Sequence, residues 1–159
     1  MFIRKSVLLV SFLIILLFSY SNLNAGKAPV EYNLAYQVYQ QKNYDLAIEK
    51  FREFVELYPD HFYTGNGYYW LGIIFYKQKN YYDAIIEFEK VTTCKNIWKY
   101  PDAYMRIGLS YKNLKKYDKA IAEFTKIVNK YETSKDQDHL NKVIEAKNLI
   151  KVIKKKIKK

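Results

Sequence analysis

The sequence predicts an all-α protein, a solenoid of three helix-turn-helix repeats closed by a C-terminal capping helix. Three observations carry this. The stretches YNLAYQVYQQKNYDLAIEKF (32–51), YWLGIIFYKQKNYYDAIIEF (69–88) and MRIGLSYKNLKKYDKAIAEF (105–124) align without a gap at offsets of 37 and 36 residues, a period in the range of stacked repeat architectures. Within each stretch the apolar residues recur at three- and four-residue steps on both sides of a short polar break, QKN, QKN or LKK, which reads as two amphipathic helices and a tight turn. After the third unit, DQDHLNKVIEAKNLIKVIKKKIKK continues as one more helix pattern.

In chain order the first element is a leader. MFIRK supplies Arg4 and Lys5, Val7 to Tyr20 is nearly all apolar, and SNLNA ends on the small Ala25, so residues 1–25 read as an export signal peptide. Left uncleaved, it would act as a membrane anchor, although it is shorter than the roughly 20 residues that span a bilayer. No cysteine follows it closely, so lipid attachment at a new N-terminal cysteine is not expected. The protein is expected to be exported and periplasmic.

Residues 26–136 hold the repeats, at about 28–61, 65–98 and 101–134. Their shared skeleton is Leu34, Ala35, Val38, Tyr44, Ala47 and Phe51; then Leu71, Gly72, Phe75, Tyr81, Ala84 and Phe88; then Ile107, Gly108, Tyr111, Tyr117, Ala120 and Phe124. The small residue (Ala35, Gly72, Gly108) lets the first helix approach the second, with an alanine (Ala47, Ala84, Ala120) expected opposite it. The phenylalanine is expected to fill the seam with the next unit. In residues 137–159 an apolar stripe of Leu140, Val143, Ile144, Leu149, Ile150, Ile153 and Ile157 is expected to cover the open face of the third repeat, with lysines elsewhere.

The chain has a formal charge of +11. Six lysines fall in the last nine residues, while 19 basic and 16 acidic residues share positions 26–150, so the excess is a property of the tail. A contact with an anionic surface through Lys154, Lys155, Lys156, Lys158 and Lys159 is the sharper alternative to a merely solvating cap. Three arginines among 27 basic residues and the lack of a recognition motif argue against nucleic acid. Cys94, the only cysteine, can form no intramolecular disulfide and is expected to be buried. His61 and His139 have no nucleophile placed near them and are expected at the solvated surface. DQDH (136–139) lacks the ligand number of a calcium loop and is expected to cap a helix. No catalytic group, metal site or cofactor is expected.

The skeleton resembles the tetratricopeptide repeat family, with Tyr68, Leu71, Gly72, Phe75, Ala84 and Phe88 at its signature positions in the second unit and Pro59 closing the first. Asn96 and Glu132 stand where later units would carry that proline. This resemblance implies a right-handed solenoid whose first helices line a concave protein-binding groove. The implied groove residues are Tyr32, Asn33, Tyr36 and Tyr39; Tyr69, Trp70, Ile73 and Tyr76; Met105, Arg106, Leu109 and Lys112, of which Tyr69, Trp70 and Arg106 are the leading contacts. The lysine and asparagine clamp by which some members hold acidic C-termini is not matched, because Tyr32, Tyr36, Ile73, Met105 and Leu109 occupy its places.

The phrases YPDHFYTGNGYYWLG (58–72) and YPDAYMRIG (100–108) are similar to the C-terminal repeat domain of the periplasmic Tol-Pal-associated YbgF/CpoB family. That likeness implies a non-catalytic scaffold in envelope biogenesis and cell division. The coiled-coil segment of that family has no room between the leader and the first repeat. The barrel-assembly lipoprotein BamD, which also separates its repeats by YP-type turns, is the alternative resemblance and implies outer-membrane assembly.

Overall fold

The computed structural model describes residues 28–95 and 97–158. The expected signal peptide, Asn96 and Lys159 lie outside the described residues. Seven α-helices follow one another among those residues: α1 (Val30–Gln40), α2 (Tyr44–Leu57), α3 (Thr64–Lys77), α4 (Tyr81–Val91), α5 (Tyr100–Asn113), α6 (Tyr117–Tyr131) and α7 (Gln137–Ile157), with a 3₁₀ turn at Ile97–Lys99 before α5. Each helix packs on the next in the chain, and α7 also touches α5. The architecture is an all-α, tetratricopeptide-like solenoid.

The turns inside the three helix pairs share one conformation. Lys42, Lys79 and Lys115 adopt left-handed backbone angles, with φ of 62°, 62° and 58°. In the second and third pairs this closes the first helix with the double hydrogen bond of a Schellman cap. Asn80 N–H reaches Phe75 C=O at 2.9 Å and Lys79 N–H reaches Tyr76 C=O at 3.0 Å; Lys116 and Lys115 repeat the pattern on Tyr111 and Lys112. A lysine in this region strains its Cβ, so the cap forms at a cost that glycine would avoid. Asn43 adds a side-chain cap to α2, accepting from Leu46 N–H at 3.4 Å.

Helix spacing within a pair is set by a ring lying on a missing side chain. A Cβ placed on Gly72 would stand 2.6 Å from Phe88, and one on Gly108 would stand 2.5 Å from Phe124. The atoms facing the small residue are therefore the phenylalanine ring of the same unit. This revises the expectation that the alanine faces it and the ring belongs chiefly to the seam with the next unit. Ala47, Ala84 and Ala120 are fully buried beside these rings. Between units the close contact falls on Gly67, whose missing Cβ would lie 2.6 Å from Val55 Cγ1 and 2.9 Å from Phe54.

The repeat pattern and the ends of a solenoid pull apart at one position. Leu71 and Ile107 are 1% and 2% exposed, whereas Leu34, their counterpart in the first unit, is 48% exposed. The position is buried by the preceding helix pair, and among the described residues α1 has none. At the other end α7 supplies cover: Val143, Ala146 and Ile153 are buried against α6, and Lys142 Nζ reaches the Asp102 carboxylate on α5 at 3.0 Å. Two members of the expected stripe depart from it. Ile144 is 58% exposed because one residue beyond Val143 turns it about 100° off the buried line. Ile157 is 50% exposed, since it reaches only the α5–α6 turn at Lys115–Lys119.

Three smaller expectations change. Cys94 is half-buried just after α4, donating to Lys90 C=O at 3.3 Å, and its partial burial raises the thiol pKa. His61 is also half-buried: its Nδ1 accepts from Tyr63 N–H at 3.1 Å and its ring lies between Tyr58 and Tyr63. His139 packs its ring 4.6 Å from that of Tyr131, and its Nδ1 lies 3.0 Å from Ser134 Oγ. Both histidines brace turns. Asp136 caps α7 as expected, accepting from Asp138 N–H at 2.8 Å and His139 N–H at 3.2 Å.

Three outcomes follow for stability. Gly72→Ala should destabilise the protein by roughly 1–3 kcal/mol, because the new methyl overlaps a fully buried ring; a denaturant midpoint equal to wild type would refute the ring-on-glycine account. Lys79→Gly should raise stability by about 0.5–1 kcal/mol by relieving the left-handed lysine, measured by the same unfolding curve. Burial pushes the Tyr131 phenol up to about 12 from its usual value of 10.0. The neutral phenol is thus favoured by folding: its contribution is full below about pH 10 and is lost as pH rises through about 12, because the unfolded chain releases its proton first. Tyr131→Phe should flatten the fall of unfolding free energy across that window, and an unchanged slope would assign alkaline unfolding to other groups.

Candidate functional site

The first helices of the three pairs converge on one cavity of about 360 Å³. Tyr39 comes from α1; Tyr69, Trp70, Ile73, Tyr76 and Lys77 come from α3; Arg106 comes from α5. Residues 69, 70, 73, 76 and 77 share a face because they recur at three- and four-residue steps. The neighbouring helices add their residues because α3 packs closely on α2 at Gly67 and α5 packs on α4.

Rings and cations interleave in this cavity. The Trp70 ring lies 5.0 Å from that of Tyr36 and 4.7 Å from that of Tyr39, and its Nε1–H donates to Tyr32 Oη at 3.1 Å. Tyr69 meets Trp70 edge-on at 5.9 Å and reaches Phe88 at 5.6 Å. The Arg106 guanidinium lies 5.7 Å from the centre of the Tyr76 ring, a cation–π distance. The Tyr76 hydroxyl in turn accepts from Asn113 Nδ2 at 2.8 Å. Burial raises the pKa of Tyr39, with Arg106 pulling the other way, so its hydroxyl is a neutral donor near pH 7. No acidic side chain is among the lining residues.

The expected groove residues divide into four groups. Tyr39, Tyr69, Trp70, Ile73, Tyr76 and Arg106 line the cavity, with Ile73 so nearly buried that it forms the floor. Tyr36 lies behind Trp70 as a packing partner, and exposed Asn33 donates from Nδ2 to Ala28 C=O at 3.3 Å. Tyr32 and Met105 are buried in the core, which corrects their assignment to the groove surface: Tyr32 packs edge-on against Phe51 and Phe54, and Met105 joins Phe124 in the second core cluster. Leu109 packs at the edge of that cluster, and half-buried Lys112 lies outside the cavity lining.

Trp70 therefore has two roles, since much of its ring joins α1 to α3 while the rest faces the cavity. Lys77 is the lining residue missing from the expected set. Its spacing from Trp70 and Ile73, seven and four residues, marks the same helix face and was the available signal.

Among the described residues no group of three or more His, Cys, Asp or Glu side chains could hold one metal ion. No described helix is long and apolar enough to cross a membrane.

Stacked helix pairs whose first helices share an aromatic, cationic cavity define a tetratricopeptide-like module of the kind that binds proteins. Residues 22–157 match the family model YfiO, described as outer membrane lipoprotein, and the chain belongs to that family. Of the two envelope resemblances in the sequence, this match sides with the outer-membrane lipoprotein and not with the Tol-Pal-associated proteins. No curated protein matches the chain. The membership supports export to the cell envelope.

Proposed function

We propose that this protein is a non-catalytic scaffold of the cell envelope that holds a protein partner in the cavity between α1, α3 and α5. The observation that carries the reading is the lining itself. Tyr39, Tyr69, Trp70 and Tyr76 offer apolar area at small cost in side-chain freedom, and Lys77 and Arg106 add two cations without an acid among them. Such a site fits a segment that presents an aromatic or aliphatic side chain next to a carboxylate. Family membership supports an outer-membrane assembly setting over a role in Tol-Pal function or division. The lysine-bearing face of α7 is a second candidate surface, for an anionic partner.

Arg106→Glu tests the cavity with less structural disturbance than a Trp70 variant, which would also remove the bond to Tyr32 and the α1–α3 seam. With a photo-crosslinking residue at position 77 in intact cells, Arg106→Glu should lower partner capture about thirtyfold, as expected for an anchor of ~2 kcal/mol, while the helical circular dichroism stays unchanged. Capture at wild-type level would sink the cavity reading. Recovery of Tol-Pal components instead of outer-membrane assembly proteins would overturn the assigned setting.

A further inference from the structure

The basic excess of the chain is arranged by the last helix into one face. Lys147, Lys151, Lys154, Lys155 and Lys158 stand at i, i+4, i+7, i+8 and i+11, a spacing that places them within an arc of roughly 100° over about 16 Å of α7. Together with Ile150 they line a single shallow cavity of about 440 Å³. The cluster differs from the lysine run in the sequence. Lys156 leaves it to lie 5.2 Å from the Tyr117 ring, and Lys147, upstream of the run, joins it.

The face carries almost no compensation. Lys147 pairs with Glu132, the residue that follows α6, whereas none of Lys151, Lys154, Lys155 and Lys158 forms an ion pair among the described residues. The acids of α7 itself, Asp138 and Glu145, project from other faces, and Glu145 approaches Lys142. Four uncompensated ammonium groups one turn apart repel each other, so the row is maintained at an electrostatic cost that an anionic partner would remove.

We propose that this face of α7 docks the protein onto an anionic lipid surface through phosphate-bearing headgroups. A flat charged plane is favoured over a folded acidic partner by the composition of the row. It holds lysines alone, hydrated point charges without the planar fork that reads a shaped carboxylate site. Exposed Ile144, one turn before Lys147, lies on the same face, placed to reach the boundary between headgroups and acyl chains. The proposal rests on the envelope setting and is independent of the cavity reading, because no residue is shared.

Co-sedimentation of the full chain with phosphatidylglycerol–phosphatidylcholine vesicles, against phosphatidylcholine alone, tests it. The apolar run Val7 to Tyr20 contributes to both vesicle types, so the difference between them reads the lysine face. Lys151→Glu/Lys155→Glu should lower the phosphatidylglycerol-dependent affinity at least about tenfold, and the wild-type affinity should fall steeply with salt. Lys95→Glu/Lys135→Glu, an equal charge change elsewhere on the surface, should retain it. Equal losses in the two double variants would show net charge alone to be responsible and overturn the proposal. So would binding to polyphosphate without binding to vesicles, which would assign the face to a soluble polyanion. Arg106→Glu should leave vesicle binding intact, which separates this test from that of the cavity.

Discussion

The contact on which the rest of the structure depends is a phenylalanine ring seated where a side chain is missing. Phe88 on Gly72 and Phe124 on Gly108 bring two helices closer than a pair of ordinary side chains would allow. That closeness sets how far the first helices of successive pairs stand from one another, with Gly67 repeating the device between units. Only at such spacing can Tyr39, Tyr76 and Arg106, from three different helices, share one cavity. The cavity is thus a consequence of the packing period.

The fold was legible because the period was written three times. A repeat unit cannot bury its own hydrophobic face, so the same small residue, alanine and phenylalanine must recur wherever a pair stacks, and recurrence is visible without coordinates. What the repeat conceals is its ends. Leu34 carries the same side chain as Leu71 and half of it is exposed, because the neighbour that would bury it is a property of the array and not of the unit. α7, outside the repeat, was legible only as an amphipathic pattern, and the actual rotation of Ile144 and Ile157 depended on where α6 and the α5–α6 turn sit.

The candidate site was legible in part for a related reason. The repeat specifies which helix faces neighbouring first helices, but neighbouring first helices also pack on each other along that face. Tyr32 and Met105 share the register of true lining residues, yet Phe51, Phe54 and Phe124 lie against them and draw them into the core. Trp70 is divided between the two demands, meeting the Tyr39 ring at a tilt while donating to buried Tyr32. Lys77 was missed because a lysine after an aromatic run reads as the solvated end of a helix. The YP-type turns could not separate two envelope families, since a turn phrase records how repeats are joined and not what they hold; the match over residues 22–157 draws on most of the chain and favours the outer membrane lipoprotein family.

Charge is distributed by the same geometry into two surfaces with different chemistry. In the cavity, Arg106 lies over Tyr76, and rings supply most of the lining, so the partner proposed for it would be held by shape and by removing apolar area from water. On α7, five lysines form a row with little shape to match and no ring among the lining residues, so attraction there is long-ranged and weakened by salt. A helix that must cover the last repeat has one face committed to Val143, Ala146 and Ile153. Its outward face is free to carry charge, and lysine can do so without disturbing the helix, because its intrinsic helix propensity is high. The capping requirement of a solenoid therefore supplies a rigid platform at one end of the protein, where a charged row can be presented without altering the cavity between the first helices.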